Sequence, residues 1–125
     1  MHIRQIQDIT EPLRSPLGEI VYELVGAAPA TGQTDQQSLA YIVLPPGGRS
    51  AHHYHRVSAE SYYILSGNAQ MTIDGETVTL SSGQACLIKP PSDHEIINNG
   101  DVDVVFLAVC TPAWTPSDSF PAETK

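Results

Sequence analysis

With 125 residues, the chain has the length of one domain and can bury a core without disulfide staples. Its formal net charge of −8 argues against nucleic acid or an anionic membrane as a partner, because both demand basic patches. The longest apolar run, VVFLAVC over 104–110, is too short to cross a bilayer, and the start, MHIRQIQDIT, lacks the apolar stretch of a secretory signal.

In chain order the sequence reads as strands and turns. GEIVYELV (18–25) mixes β-branched and aromatic residues and predicts a strand. GAAPATGQTDQQ (26–37) is small and polar, and predicts a loop. SLAYIVL (38–44) predicts a strand stopped by Pro45-Pro46-Gly47-Gly48. ESYYILS (60–66) precedes Gly67, and NAQMTI (68–73) runs through Asp74-Gly75, a two-residue hairpin signal, into ETVTL (76–80). QACLI (84–88) ends at Lys89-Pro90-Pro91, HEIIN (94–98) at Asn99-Gly100, and VDVVFLAVC (102–110) is the last strand. In that strand Val104, Phe106, Ala108 and Cys110 share one face, and Met71 and Ile73 share another earlier in the chain, so both sets are expected to line the interior. The tail carries Pro112, Pro116 and Pro121 around the only tryptophan, Trp114, which is expected to pack it onto the body or a neighbouring subunit. Short strands at intervals of about 8–12 residues predict an all-β sandwich or barrel. No repeat or low-complexity segment interrupts it. Cys86 and Cys110 lie in apolar runs and are expected to be buried free thiols, as in a reducing cytoplasm.

The stretch GGRSAHHYHRVSAE (47–60) puts three of the five histidines within four positions. On a strand, His53 and His55 face the same way about 6.7 Å apart, while His52 and Tyr54 face the other. Two such imidazoles can converge on one ion at about 2.1 Å from each nitrogen. Glu60, at the head of the next strand, offers a carboxylate, and His94, opening a later strand, a third imidazole. Such a set suits a divalent Mn, Fe, Ni, Co or Zn ion. The alternative is four polar residues scattered over strand ends.

The spacing bears on that choice. Gly47, His53, His55, Glu60 and Gly67 match every fixed position of G-x5-H-x-H-x4-E-x6-G, and the chain thereby resembles the cupin superfamily, small single-domain cupins in particular. The second cupin motif is met in part: Gly83, His94 and Asn98 fall at the right offsets, whereas Lys89 and Pro91 stand where proline and glycine are usual. The resemblance covers roughly residues 18–112. It implies an all-β double-stranded β-helix, or jelly-roll barrel, with a metal in its mouth ligated by His53, His55, Glu60 and His94, and with Gly47, Gly67 and Gly83 at turns. The expected organisation is one domain over 1–125, with barrel core 18–112 and Pro-rich tail 113–125.

Other residues carry weaker expectations. Tyr62 shares a face with Glu60 and is a candidate to donate a hydrogen bond to substrate, the alternative being a core tyrosine. Arg49 and Arg56 flank the histidines and could pair with an anionic substrate or sit solvated in a loop. Asn98 is expected to tie down a turn, and His52 to be exposed or to support the site indirectly. The reading of function is a metal-dependent enzyme of the dioxygenase or oxidase type acting on a small organic molecule. A metal-assisted isomerase, lyase or decarboxylase and a non-catalytic sugar- or metabolite-binding protein are the alternatives. A cupin serving only in assembly would not need the full ligand set. The resemblance also implies a homodimer, with GEIVYELV and the Trp114 tail as segments to cover a strand edge.

Overall fold

A computed structural model describes residues 1–28 and 31–125 of the chain. It contains eleven strands and three single-turn 3₁₀ helices: β1 (Leu13–Arg14), β2 (Ile20–Val25), β3 (Ser38–Leu44), β4 (His53–Tyr54), β5 (Ala59–Ser66), β6 (Asn68–Ile73), β7 (Glu76–Ser81), β8 (Ala85–Ile88), β9 (His94–Ile97), β10 (Val104–Thr111) and β11 (Phe120–Pro121), with the helical turns at Ile6–Asp8, Pro116–Asp118 and Ala122–Thr124. The expected strands over 38–44 and 68–73 coincide with β3 and β6, and the others are shifted at their ends by one or two residues. Of the expected loop over 26–37, residues 29 and 30 lie outside the described residues.

The strands form two antiparallel sheets. One has the order β1-β2-β3-β10-β5-β8 and the other β11-β4-β9-β6-β7. Apart from the meander β1-β2-β3 and the hairpin β6-β7, each strand and its successor in the chain lie in different sheets, as in a jelly roll, and the fold is the all-β double-stranded β-helix. Alternation decides which face turns inward. Val104, Phe106, Ala108 and Cys110 of β10 are all buried, and their strand neighbours Leu107 and Val109 are not. Ile42, Leu44, Tyr62, Ile64, Met71 and Ile96 meet them in one apolar core that holds the two sheets together. Gly67 shows why a motif glycine stands between β5 and β6: its φ is +82°, and a Cβ there would lie 2.6 Å from the Asp103 carbonyl oxygen. Asn98 is fully buried and ties the β9–β10 turn. Its amide donates to the carbonyls of Leu44 and Val102, and its Oδ1 accepts from the Gly100 N–H.

The departure at Lys89 and Pro91 leaves a closed turn, with the Ser92 N–H donating to the Lys89 carbonyl at 2.8 Å. Two elements were not foreseen. Residues Leu13–Arg14 pair with β2 and cover its outer edge, and the tail returns to pair Phe120 and Pro121 with Tyr54 and His53 of β4. The chain itself thus covers the β4 edge and the start of the β2 edge, whereas β8 and β7 remain the outer strands at the other ends of the sheets. No helix among the described residues is long and apolar enough to cross a membrane.

A candidate metal centre in the barrel mouth

The β-ladders bring the four residues together. His53 on β4 pairs directly with His94 on β9, and Glu60 at the head of β5 pairs with Cys110 on β10. His55 lies just past β4, with its ring centroid 5.0 Å from that of His53. One ligand atom from each of His53, His55, Glu60 and His94 falls within 4.8 Å of all the others. His55, Glu60 and His94 are buried and His53 is partly so. The sheet registers therefore gather side chains that are up to 41 residues apart in sequence.

The hydrogen bonds around the cluster leave one nitrogen of each imidazole facing inward. Nδ1 of His53 donates to the Ala51 carbonyl at 2.7 Å, Nδ1 of His55 to the Asp118 carbonyl at 2.7 Å, and Nδ1 of His94 to the Ser92 carbonyl at 3.2 Å. An imidazole that gives its Nδ1 proton to a carbonyl keeps its Nε2 lone pair free, as a metal ligand must. Nε2 of His55 and of His94 lie 3.3 and 3.2 Å from Glu60 Oε1, yet these three buried atoms make no aligned hydrogen bond. Buried polar atoms are rarely left so, because each costs free energy. The other carboxylate oxygen, Oε2, accepts from the Cys110 thiol at 3.1 Å. The donor set, its compactness and these orphaned atoms all fit a divalent ion.

Electrostatics agree. Burial pushes the Glu60 carboxyl up, but His55 and His94 beside it outweigh that and hold it well below the usual carboxylate range. Burial, with His94 and His55 nearby, pulls His53 down to about 4, so it is neutral and able to ligate at neutral pH. Burial also lowers His55, but Glu60 and the Asp118 carbonyl more than offset it and leave it raised. Burial pushes the Cys110 thiol far up, with Glu60 adding to it, so Cys110 remains a thiol donor.

Above the cluster lies a cavity of about 160 Å³ with apolar walls that include Leu13, Val21, Ile42 and Trp114. Tyr62 lines it as well. Tyr62 is buried against Phe106, ring centroids 4.7 Å apart, and near His94 at 6.2 Å. Burial, with Glu60 and Glu19 nearby, raises its phenol well above the ordinary range, so it stays a donor. Arg49 and Arg56 are absent from the wall: the Arg56 guanidinium stacks over the Phe120 ring at 4.0 Å, and Arg49 joins Gly18 and Ile97 through backbone bridges. His52 points away from the cluster, half exposed, and its Nε2 meets Asp93 at 2.9 Å. Tyr54 also faces away, stacked on Phe120 with centroids 5.4 Å apart. Both cysteines are free, with Cys110 buried and Cys86 half-buried.

Three participants escaped the sequence reading. Asp118, in the tail, supports the loop between His55 and Glu60: its carboxylate accepts from the N–H groups of Arg56, Val57 and Ser58 at 2.9–3.2 Å. Cys110 touches Glu60 and is more than a core residue. Glu19 lines the cavity, and burial together with Glu60 raises its carboxyl to about 7. The parity of Glu19, Val21 and Glu23 in GEIVYELV carried a signal for the last, whereas nothing local marks Asp118.

Comparison with known proteins agrees with this architecture. The family model for the cupin domain matches residues 40–110. The chain belongs to the cupin family. The uncharacterized protein MJ1618 of Methanocaldococcus jannaschii is 32% identical over 117 residues, covering 94% of this chain and 92% of that protein. An oxalate-binding protein of Thermotoga maritima is 37% identical over 70 residues, 56% of this chain and 58% of that one. Among solved structures, a predicted oxalate decarboxylase of Thermotoga maritima superposes with a TM-score of 0.73 at 27% identity, covering 88% of this cupin and 98% of that chain.

Proposed function

We propose that His53, His55, Glu60 and His94 hold one divalent transition-metal ion, and that the loaded protein is a metal-dependent enzyme of the oxygen-using type acting on a small organic molecule. One observation carries the metal site in this reading: three imidazoles lock their Nδ1 protons on backbone carbonyls, and two buried Nε2 atoms are left beside a buried carboxylate oxygen that also lacks a partner. An ion bound there by four protein groups would keep open positions and act as a Lewis acid toward substrate and oxygen. The residues supply the rest. The apolar wall with Trp114 and Val21 excludes water from the substrate's body, and Tyr62 offers a hydroxyl that burial keeps protonated. Cys110 holds Glu60 in orientation through its thiol.

A second reading, a metal-assisted decarboxylase, draws on the likeness to the oxalate-binding protein and to the predicted oxalate decarboxylase of Thermotoga maritima. The two are separated by measuring oxygen uptake and carbon dioxide release on metal-loaded, tag-free protein with phenols, diketones and small acids. Metal-dependent oxygen uptake is the expected result. Carbon dioxide release from a small acid without net oxygen consumption would move the assignment to the second reading, and failure to retain any metal would remove both.

We further propose a two-fold homodimer. The surface that favours it is the outer face of β5, β8 and β10, where Tyr63, Leu65, Leu87 and Val109 are exposed. A monomeric mass by light scattering at micromolar concentration would remove it.

A further inference from the structure

The cavity wall is uneven in charge. Among the described residues that line it, Glu19, Glu23 and Glu60 are carboxyl-bearing and none is lysine or arginine. Glu19 and Glu23 share the inward parity of Val21, and all three line the cavity. Arg4 lines an adjoining groove together with Asp8, Glu11 and Glu23, and is not among the residues that line the cavity itself. The neighbouring Arg56 is held over Phe120 and does not reach the cavity lining.

The charge count follows. A divalent ion on Glu60 leaves one net positive charge at the floor, and the Glu19 carboxyl on the wall offsets it when ionised. A ligand bringing two negative charges finds no lysine or arginine among the lining residues to add to the ion, and like charges brought together away from water are costly. A hydroxyl suits the same wall, because it donates a charge-assisted hydrogen bond to a carboxylate. An apolar body suits Leu13, Val21 and Trp114. At about 160 Å³ the cavity is on the scale of one that admits a benzene ring, about 150 Å³.

We propose that this cavity takes a small, uncharged molecule carrying a hydroxyl on an apolar body, with the hydroxyl directed to the Glu19 carboxyl, and that it rejects phosphorylated and dicarboxylate ligands. The charge count at the floor rests on the metal reading above, but the wall carboxyls act with or without the ion.

Trp114 is the only tryptophan and lines the cavity, so its fluorescence, excited selectively at long wavelength, reports occupancy. Phenol and phenyl phosphate are titrated at pH 8 into manganese-loaded and metal-free protein. The first is then mainly neutral and the second carries about two charges. Phenol is expected to bind at least about tenfold more tightly in both forms. Glu19→Gln is expected to narrow that ratio several-fold by strengthening phenyl phosphate and weakening phenol. Equal or tighter binding of phenyl phosphate to the wild-type protein overturns the proposal. So does a ratio that Glu19→Gln leaves unchanged, because size and not charge would then set it. Loss of manganese on desalting counts against the metal reading alone, and the metal-free titration then decides the selectivity.

Discussion

Replacing Asp118 by alanine removes one tail carboxylate and strands the three N–H groups of Arg56, Val57 and Ser58 that it accepts. A hydrogen bond to a charged acceptor contributes about 1.5–3 kcal/mol when protected from water. Arg56 and Val57 are exposed and can turn to solvent, whereas Ser58 is buried. Counting one bond in full and discounting two gives a loss of about 2–3 kcal/mol. For a domain of this size that lowers Tm by about 8–12 °C. The loop so loosened joins His55 to Glu60, and the Asp118 carbonyl orients the His55 ring, so metal affinity should fall at least about tenfold as well. Burial raises the Asp118 carboxyl, but the three N–H groups outweigh it and leave it lowered. A lowered carboxylate stabilises the fold above its unfolded value of about 3.9 and loses that contribution as pH falls through its folded value, so variant and wild type should converge in strong acid. Asp118→Asn keeps an acceptor without the charge and should recover part of both losses. Thermal denaturation of the metal-free proteins and a metal titration measure these effects. An Asp118→Ala variant with unchanged Tm and metal affinity would refute the role assigned to the tail.

The barrel has its own apolar core, so metal-free protein should stay folded; an ion at about 100 times its Kd should add about 2.7 kcal/mol, a Tm rise on the order of 10 °C by calorimetry. Glu19 is raised from 4.5 to about 7, so the native state holds a proton that the unfolded chain releases, and this contribution is lost as pH rises through 7. Glu19→Gln should therefore flatten the fall in stability of metal-free protein between pH 5 and pH 8, as read by urea denaturation at several pH values.

Strands were legible wherever alternation and turn chemistry agreed. SLAYIVL and NAQMTI end at Pro45-Pro46 and Asp74-Gly75, and their bounds were read correctly. The clustering of His53, His55, Glu60 and His94 was legible because the motif fixes the spacing of the first three, whereas the direct pairing of His53 with His94 shows only in the ladder. β1 was not legible, since two residues carry no period. Nor was the tail, because a proline-rich segment reads as irregular and its contacts to residues 52–58 span some sixty positions. Cys110 was read as core, which it is, but its bond to Glu60 depends on the pairing of β5 with β10.

The claim that the four residues form one metal site is tested most directly by metal content per chain at pH 7.5, after loading and desalting, in His53→Ala and His52→Ala. His53 faces the cluster and His52 faces Asp93. His53→Ala is expected to fold as a barrel that has lost most of its metal, beside a His52→Ala protein that keeps close to one ion per chain. Equal metal in the two variants, or none in the wild-type protein, would contradict it.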